Sequence, residues 1–302
     1  MGIAKAPANV LLLEALRRPL EGKALTLGRQ DIWVSHNILQ EISAEVGVPL
    51  SGGVAISLSH KPELAEQGLL SDRCFFQLLG FSSVQSLDYS SYEGADHIVD
   101  LNSAHMPEEL VGAFDFIVDG GTIEHVFHLP NVLNNIFSML RVGGRILHLA
   151  PSSNHIDHGF YMFSPTLFMD FYCANKFEIN LAQVFRYTQR HDIDPWEASD
   201  YESGCLEAVS FGGLDDSLYG VIFLATKTIG STGNAVPQQG SAKLPVPEKP
   251  LMVGNPASLK RRLRRHISWI PGTNYVWSIA GRISRLLKPP KKGLGLRVKA
   301  RY

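Results

Sequence analysis

The chain has 302 residues, a formal net charge of −1 and a composition ordinary for a soluble globular protein. Cys74, Cys173 and Cys205 are widely spaced and form no C-x-x-C pair, which favours reduced thiols in a cytoplasmic protein over a disulfide framework or a zinc site. The only continuous apolar run near the start, residues 10–13, is too short for a signal peptide or a membrane span. We therefore expect a cytoplasmic protein.

The small net charge hides a strong asymmetry along the chain. Residues 1–250 carry 15 Lys and Arg against 29 Asp and Glu, a balance of −14. Residues 251–302 carry 13 Lys and Arg and no acidic residue, a balance of +13. This partition predicts a basic tail with a partner of its own.

Helical stripes and short apolar runs alternate in the first hundred residues. The predicted helices cover residues 10–17, 32–46 and 69–79. The predicted strands cover residues 24–27, 84–87 and 97–99, and residues 47–68 have the breakers of a loop. Alternation of this kind favours a parallel sheet with connecting helices.

The clearest pattern lies between residues 114 and 151. It begins F-D-F-I-V-D-G-G-T-I-E-H-V and ends L-R-V-G-G-R-I-L-H-L-A-P, with strands predicted over 116–118 and 146–149 and a helix over 123–140. Strand, helix and strand with short connections form the βαβ unit of a parallel sheet. Ligands of such sheets bind beyond the carboxyl ends of the strands, so residues 119–125 are expected to meet a ligand.

The sequence after residue 151 predicts one more helix, two more strands and then a linker and a tail. A helix over 164–175 begins with a Ser-Pro pair, and strands follow over 177–187 and 219–227. We assign residues 1–228 to one domain, residues 229–257 to a flexible Gly-, Ser- and Pro-rich linker, and residues 258–302 to a basic amphipathic tail.

Between residues 8 and 228 the chain resembles the class I S-adenosylmethionine-dependent methyltransferases. The resemblance lies in the F-D-x-(apolar) fourth strand, the E-H-V stretch that opens the next helix, and the L-x-x-G-G-R-(apolar) entry to the fifth strand. It implies an α/β, Rossmann-like, mostly parallel seven-stranded sheet with helices on both faces. In this chain a basic C-terminal tail would follow that domain.

The resemblance also implies S-adenosylmethionine as cofactor. The residues at the matching positions are Gly28 after the first strand, Asp88 after the second, Asp100 after the third, and Asp119, Gly120 and Gly121 after the fourth. Of the family pattern G-x-G-x-G only Gly28 is present, with Gln30 and Ile32 in place of the other glycines. Either Gly28 suffices, with Arg29 or Gln30 at the methionine end, or the site has lost the cofactor; we predict retained binding.

Three histidines are candidates for the acceptor side of the site. His125 begins the helix after the fourth strand, and His155 and His158 follow the fifth. Histidine titrates near neutral pH and suits general base work. The alternative is a structural role, in which Glu124 favours a helix N-terminus and these histidines pack or shape a loop. The H-x-x-H pair has no evident third ligand, so we predict no metal ion, and we expect His148 to be a satisfied core histidine.

The predicted function is methyl transfer to an oxygen or nitrogen of a small-molecule or sugar-containing acceptor. The prediction of a sugar-containing acceptor comes from the H-G-F-Y-x-F-S-P stretch at residues 158–165, which resembles methyltransferase-like proteins of polysaccharide pathways. The alternative is a non-catalytic binding or scaffold protein with the same fold. For residues 258–302, interleaved Trp and Leu favour an anionic membrane surface as partner over nucleic acid or loose pairing with the acidic body, which would make the protein peripheral at the inner face of the membrane.

Overall fold

The computed structural model describes residues 2–188, 195–240 and 299–302. The strands are β1 (Lys23–Leu27), β2 (Ser83–Asp88), β3 (His97–Ile98), β4 (Phe114–Asp119), β5 (Leu140–Pro151), β6 (Glu178–Tyr187), β7 (Glu197–Asp200), β8 (Leu218–Thr226) and β9 (Ala300–Arg301). The helices are α1 (Lys5–Arg17), α2 (His36–Val46), α3 (Pro62–Ala65), α4 (Asp72–Leu78), α5 (Leu129–Met139) and α6 (Pro165–Ala174). These elements belong to one compact unit, and residues 208–213, which belong to a second unit, are turns.

The nine strands of the described residues join one sheet in the order β3-β2-β1-β4-β5-β8-β6-β7-β9. The first five pair in parallel, and their order reverses at β1 and β4, as in doubly wound nucleotide-binding folds. The α/β, Rossmann-like fold predicted from the sequence is therefore confirmed. The prediction of seven mostly parallel strands is wrong, because β7 and β9 extend one edge and all four pairings from β5 to β9 are antiparallel.

Helices cover both faces of the sheet, as predicted. Along the central strands, alternate residues belong to two separate hydrophobic clusters, because successive side chains of a strand point to opposite faces. One cluster contains Phe116 and Val118 with residues of α1, α2 and α4. The other contains Ile117 and Phe223 with residues of α5 and α6. Two buried faces explain why the central strands are apolar at nearly every position.

Several helix boundaries differ from the predicted ones, and local capping explains those of α2 and α4. Helix α1 begins five residues early, at Lys5, since Pro7 is tolerated in a first turn. Ser35 delays the start of α2 by accepting a hydrogen bond from the backbone N–H of Ile38, and Ser71 caps α4 in the same way. The helix predicted over 123–140 is a short 3-10 turn, Ile123–His125, followed by α5.

The last residues of the chain lie at the edge of the sheet. Residues 299–302 fall within the predicted basic tail, and β9 pairs with β7 there while the Tyr302 hydroxyl donates to Gln183 at 2.7 Å. Residues 258–298 of that tail, and residues 241–257 of the predicted linker, lie outside the described residues. Within the described ranges, none of the helices combines the length and apolar character needed to cross a membrane.

Candidate functional site

A cavity of about 850 Å³ lies beyond the carboxyl ends of β1, β2, β3 and β4. Its lining includes Gly28, Arg29, Gln30, Asp88, Asp100, Gly121, Thr122, His125, Tyr187 and Trp196. The place is the one expected for a ligand in this fold, where the strand order reverses. Its volume lies in the range of about 300–1,000 Å³ that is typical of small-molecule sites.

The turn after β1 keeps the cavity open although two of the expected glycines are missing. The Gln30 side chain folds back and donates from Nε2 to the Leu27 carbonyl at 2.8 Å. Its Oε1 lies 2.4 Å from where a Cβ on Gly120 would be, so Gln30 fills the space beside Gly120. Ile32 is buried and pairs with Ile3 in an isolated bridge.

Gly28 is the residue of this turn whose backbone conformation favours glycine. Its φ of +68° is in the left-handed region, and a Cβ there would lie 3.0 Å from Thr122 Oγ1, which itself donates to the Leu27 carbonyl.

A Gly28→Ala variant should lose roughly 1–3 kcal/mol of unfolding free energy, because both the backbone and Thr122 would be strained. Gly47→Ala is the matched control in urea denaturation, since Gly47 has a φ of +79° but nothing within 4 Å of its Cβ position. Equal losses in the two variants would show that the contact with Thr122 is unimportant.

Arg29 is engaged in structural contacts at the cavity wall. Its guanidinium forms a salt bridge with the buried Asp72, Nε to Oδ2 at 3.1 Å, and donates to the Glu93 carbonyl at 2.8 Å. These bonds connect the turn after β1 to α4 and to the loop between β2 and β3. The side chain is thus held in place before any ligand enters.

The two acids predicted to contact a cofactor both line the cavity. Asp88 uses Oδ1 to accept the backbone N–H of Ser90 at 3.1 Å, and its Oδ2 lies 3.9 Å from the Cβ position of Gly28. Asp100 uses Oδ1 for the backbone and side-chain N–H groups of Asn102, each at 2.8 Å. Each carboxylate therefore holds its own turn with one oxygen and has a second oxygen for another donor.

The three residues predicted after β4 are separated by the structure. Gly121 lines the cavity, whereas Gly120 faces the Gln30 side chain. The Asp119 side chain is fully buried and points into the protein, with Oδ2 2.7 Å from Nδ1 of His148. His148 is also fully buried, and its Nε2 lies 2.7 Å from the Tyr172 hydroxyl, so it is the satisfied core histidine expected from the sequence.

The three candidate histidines come together beside the cavity. The ring centroids of His125 and His158 are 5.2 Å apart, and those of His155 and His158 are 5.8 Å apart. Burial lowers the pKa of all three imidazoles, and the charge of His158 lowers the pKa of the other two further. All three rings are therefore expected to be neutral near pH 7.

Glu124 lies next to two of these histidines, His125 and His158. Its side chain is fully buried, and neither carboxylate oxygen accepts a hydrogen bond from another described residue. Burial, with the charge of Asp119 as a second cause, raises the pKa of Glu124 to about 7. The sequence suggested only a favourable charge at a helix N-terminus, because nothing in it showed that this acid would be covered.

Four aromatic residues that line the cavity were not predicted: Trp33, Tyr89, Tyr187 and Trp196. The last two come from the second half of the chain. Tyr187 at the end of β6 lies with its hydroxyl 3.3 Å from His155 Nε2, and burial raises the pKa of Tyr187 to about 12. Trp196 stacks on Phe185 with ring centroids 3.8 Å apart. Both come from the antiparallel edge of the sheet, and a bulky aromatic at the end of predicted strand 177–187 was the only available signal.

Comparisons with known proteins give distant likenesses. No protein-family model matches the sequence, and no curated protein matches it. Among solved structures, 1,6-didemethyltoxoflavin-N1-methyltransferase from Burkholderia thailandensis is 16% identical with a TM-score of 0.36, covering 74% of this chain and 78% of that one. Phosphoethanolamine N-methyltransferase 2 from Haemonchus contortus is 13% identical with a TM-score of 0.38, covering 73% and 52%. An S-adenosylmethionine-dependent methyltransferase from Mesorhizobium loti is 13% identical with a TM-score of 0.37, covering 73% and 98%. The fold assignment rests on the strand order of the sheet itself.

Proposed function

We propose that this chain is an S-adenosylmethionine-dependent methyltransferase that acts on an oxygen or nitrogen of a small-molecule or sugar-containing acceptor. One observation carries the proposal: Asp88 and Asp100, at the ends of adjacent parallel strands, line the same cavity as His125. Carboxylates at strand ends suit the hydroxyl groups of a nucleoside, and a neutral imidazole suits an acceptor that must lose a proton.

The residues present fit this cofactor. Gly28 has no side chain and a left-handed backbone, so a ligand can approach the main chain at the end of β1. Asp88 would hold ribose hydroxyls and Asp100 the adenine, each through the carboxylate oxygen that its own turn does not use. When bound, the cofactor supplies a methyl group on a positively charged sulfur.

The chain's own contribution to methyl transfer is positioning and proton removal. The residues that line the cavity would hold the acceptor atom beside the methyl group that the bound cofactor supplies. The acceptor's proton passes to one of the neutral imidazoles of His125, His155 or His158. Tyr187, next to His155, would orient that ring.

Calorimetric titration with S-adenosylmethionine and S-adenosylhomocysteine tests the proposal. We expect micromolar binding of either compound by the intact chain. Asp88→Ala should weaken it about 10- to 100-fold, since a hydrogen bond to a charged group contributes roughly 1.5–3 kcal/mol. The matched control is Asp216→Ala, because Asp216 is exposed and does not line the cavity. Absence of binding up to millimolar concentration would overturn the proposal.

The same titration separates the enzyme from the non-catalytic alternative. A scaffold would bind neither compound, and Asp88→Ala would change only its stability. Binding of the intact chain to anionic vesicles at physiological salt, without cofactor binding, would favour a membrane-associated scaffold. That membrane interaction is proposed from the sequence of residues 258–302, of which only the last four are described.

A further inference from the structure

Three side chains with metal-ligating atoms converge beside the cavity. One carboxylate oxygen of Glu124 and one ring nitrogen each of His125 and His158 lie within 4.8 Å of one another. Glu124 Oε1 is 3.4 Å from His158 Nε2 and 3.9 Å from His125 Nε2. Two ligand atoms bound at about 2.1 Å to one tetrahedral ion lie about 3.4 Å apart, so the first separation already fits and the second needs a small shift.

The carboxylate of Glu124 gives an independent reason to expect a cation. It is fully buried, and neither oxygen accepts a hydrogen bond from any other residue in the described part of the chain. Burying a carboxylate without hydrogen bonds is costly, and buried charges in proteins are normally paired or coordinate metals.

The backbone holds these ligands together. The N–H groups of Phe160 and Tyr161 donate to the Glu124 carbonyl at 2.8 and 3.2 Å, which fastens the loop carrying His158 onto the turn carrying Glu124. Gly159 permits this approach, because a Cβ there would lie 2.9 Å from the same carbonyl oxygen. Backbone contacts between residues far apart in the sequence therefore hold Glu124 and His158 next to each other.

The cluster also has an open side. The side chains of His125 and His158 are 48% and 39% exposed, whereas that of Glu124 is not exposed at all. A metal ion held by the three would thus be bound from the protein side only. Sites with three protein ligands keep further positions for water or substrate.

We propose that Glu124, His125 and His158 form a binding site for a divalent transition-metal ion of the Zn²⁺ class. Two imidazoles and one carboxylate are a ligand set that suits zinc and iron, and it does not favour magnesium or calcium, which prefer oxygen ligands. The H-x-x-H pair of the sequence offered no third ligand. In the structure the other two ligands beside His158 are Glu124 and His125, from the turn after β4. His155 instead lies next to Tyr187.

The site would also select the acceptor, a step that rests on the proposed methyltransferase function. His125 lines the cavity, so the open side of the ion would face the space where an acceptor binds. A hydroxyl bound to such an ion would lose its proton more easily, since the positive charge stabilises the anion. With His125 and His158 bound to the ion, His155 is the imidazole of the three that would take up this proton. The site therefore favours an oxygen acceptor over a nitrogen acceptor.

Metal titration of the full chain, produced without a polyhistidine tag and freed of metal with EDTA, tests the site. We expect one equivalent of Zn²⁺ to bind in calorimetry and one equivalent of Co²⁺ to give a visible absorption band. Glu124→Gln and His158→Asn should each weaken Zn²⁺ binding at least about tenfold. His128→Asn is the matched control, since His128 is exposed, lies three residues from His125 and is not in the cluster.

Either of two results would overturn the site. One is the absence of stoichiometric Zn²⁺ binding by the intact chain, and the other is equal binding by the parent and Glu124→Gln, which would indicate surface histidines. Circular dichroism of each variant shows whether it is folded. Titration of the same samples with S-adenosylhomocysteine keeps the two proposals apart: metal binding without cofactor binding contradicts only the methyltransferase, and the reverse contradicts only the metal site.

Discussion

Replacing His148 by alanine should lower the free energy of unfolding by about 3–5 kcal/mol, because breaking a buried ionic or hydrogen-bonded pair leaves a partner unsatisfied. His148 is fully buried, with Asp119 at 2.7 Å on one ring nitrogen and Tyr172 at 2.7 Å on the other. The variant would leave the Asp119 carboxylate buried with no partner on Oδ2, beside a void against Phe168. Urea denaturation at pH 7 measures the change.

Tyr172→Phe provides the comparison for this prediction. The substitution removes only the Tyr172 hydroxyl, which bonds to Nε2 of His148. It should lower the free energy of unfolding by about 1 kcal/mol, the net value of one ordinary hydrogen bond. If both variants lost the same stability, the bond between His148 and Asp119 would contribute nothing. The prediction would then be wrong.

The Asp119–His148 pair also connects the core to the candidate site. Asp119 Oδ1 accepts the backbone N–H groups of Thr122 and Ile123 at 3.1 and 3.3 Å. The same carboxylate thus binds His148 inside the protein and orients the turn that carries Glu124 and the ring of His125. A residue predicted to contact the cofactor is instead placed beneath the site, where it positions others.

Much of the parallel half of the fold could be predicted from the sequence. Its strands are short apolar runs that end at Gly or Asp, as at Leu27-Gly28 and Leu87-Asp88, because both faces of the sheet are covered and the strand ends carry the ligand turn. Strand β7 could not be predicted in this way. Its sequence, E-A-S-D, has no apolar run, and its conformation comes from pairing with β6 on one side and β9 on the other.

Within the candidate site, the sequence could predict only the residues that directly follow the end of a strand. Gly28, Asp88 and Asp100 follow strand ends and line the cavity, as expected. The side chain of Asp119 points the other way, and its partner His148 is 29 residues distant, so no local sequence pattern indicates the direction of this side chain. The burial of Glu124 depends in the same way on a loop that follows another strand.

Glu124→Gln should raise the free energy of unfolding above pH 7 by about 3 kcal/mol in the presence of EDTA. A Glu whose pKa is about 7 when folded and near 4.5 when unfolded binds more protons in the folded state between those values. The free energy of unfolding of the parent should therefore fall as the pH rises from about 4.5 to 7. Above that range the loss is complete, and each unit of difference between the folded and unfolded pKa contributes about 1.4 kcal/mol to it. Glutamine has the same shape without the charge, so the variant should gain little at pH 5 and most at pH 8. Urea denaturation at both values measures the difference.

Glu14→Gln is the matched control for Glu124→Gln, since it is the same substitution at an almost fully buried acid. Glu14 is paired with the guanidinium of Arg145, so losing the charge there should lower the unfolding free energy by about 3–5 kcal/mol. Opposite signs at the two positions would show that Glu124 lacks the partner that Glu14 has. A loss of stability in both variants at pH 8 would mean that the folded protein already satisfies the Glu124 carboxylate. In that case the buried acid would need no cation, and the strongest independent support for the metal site would be removed.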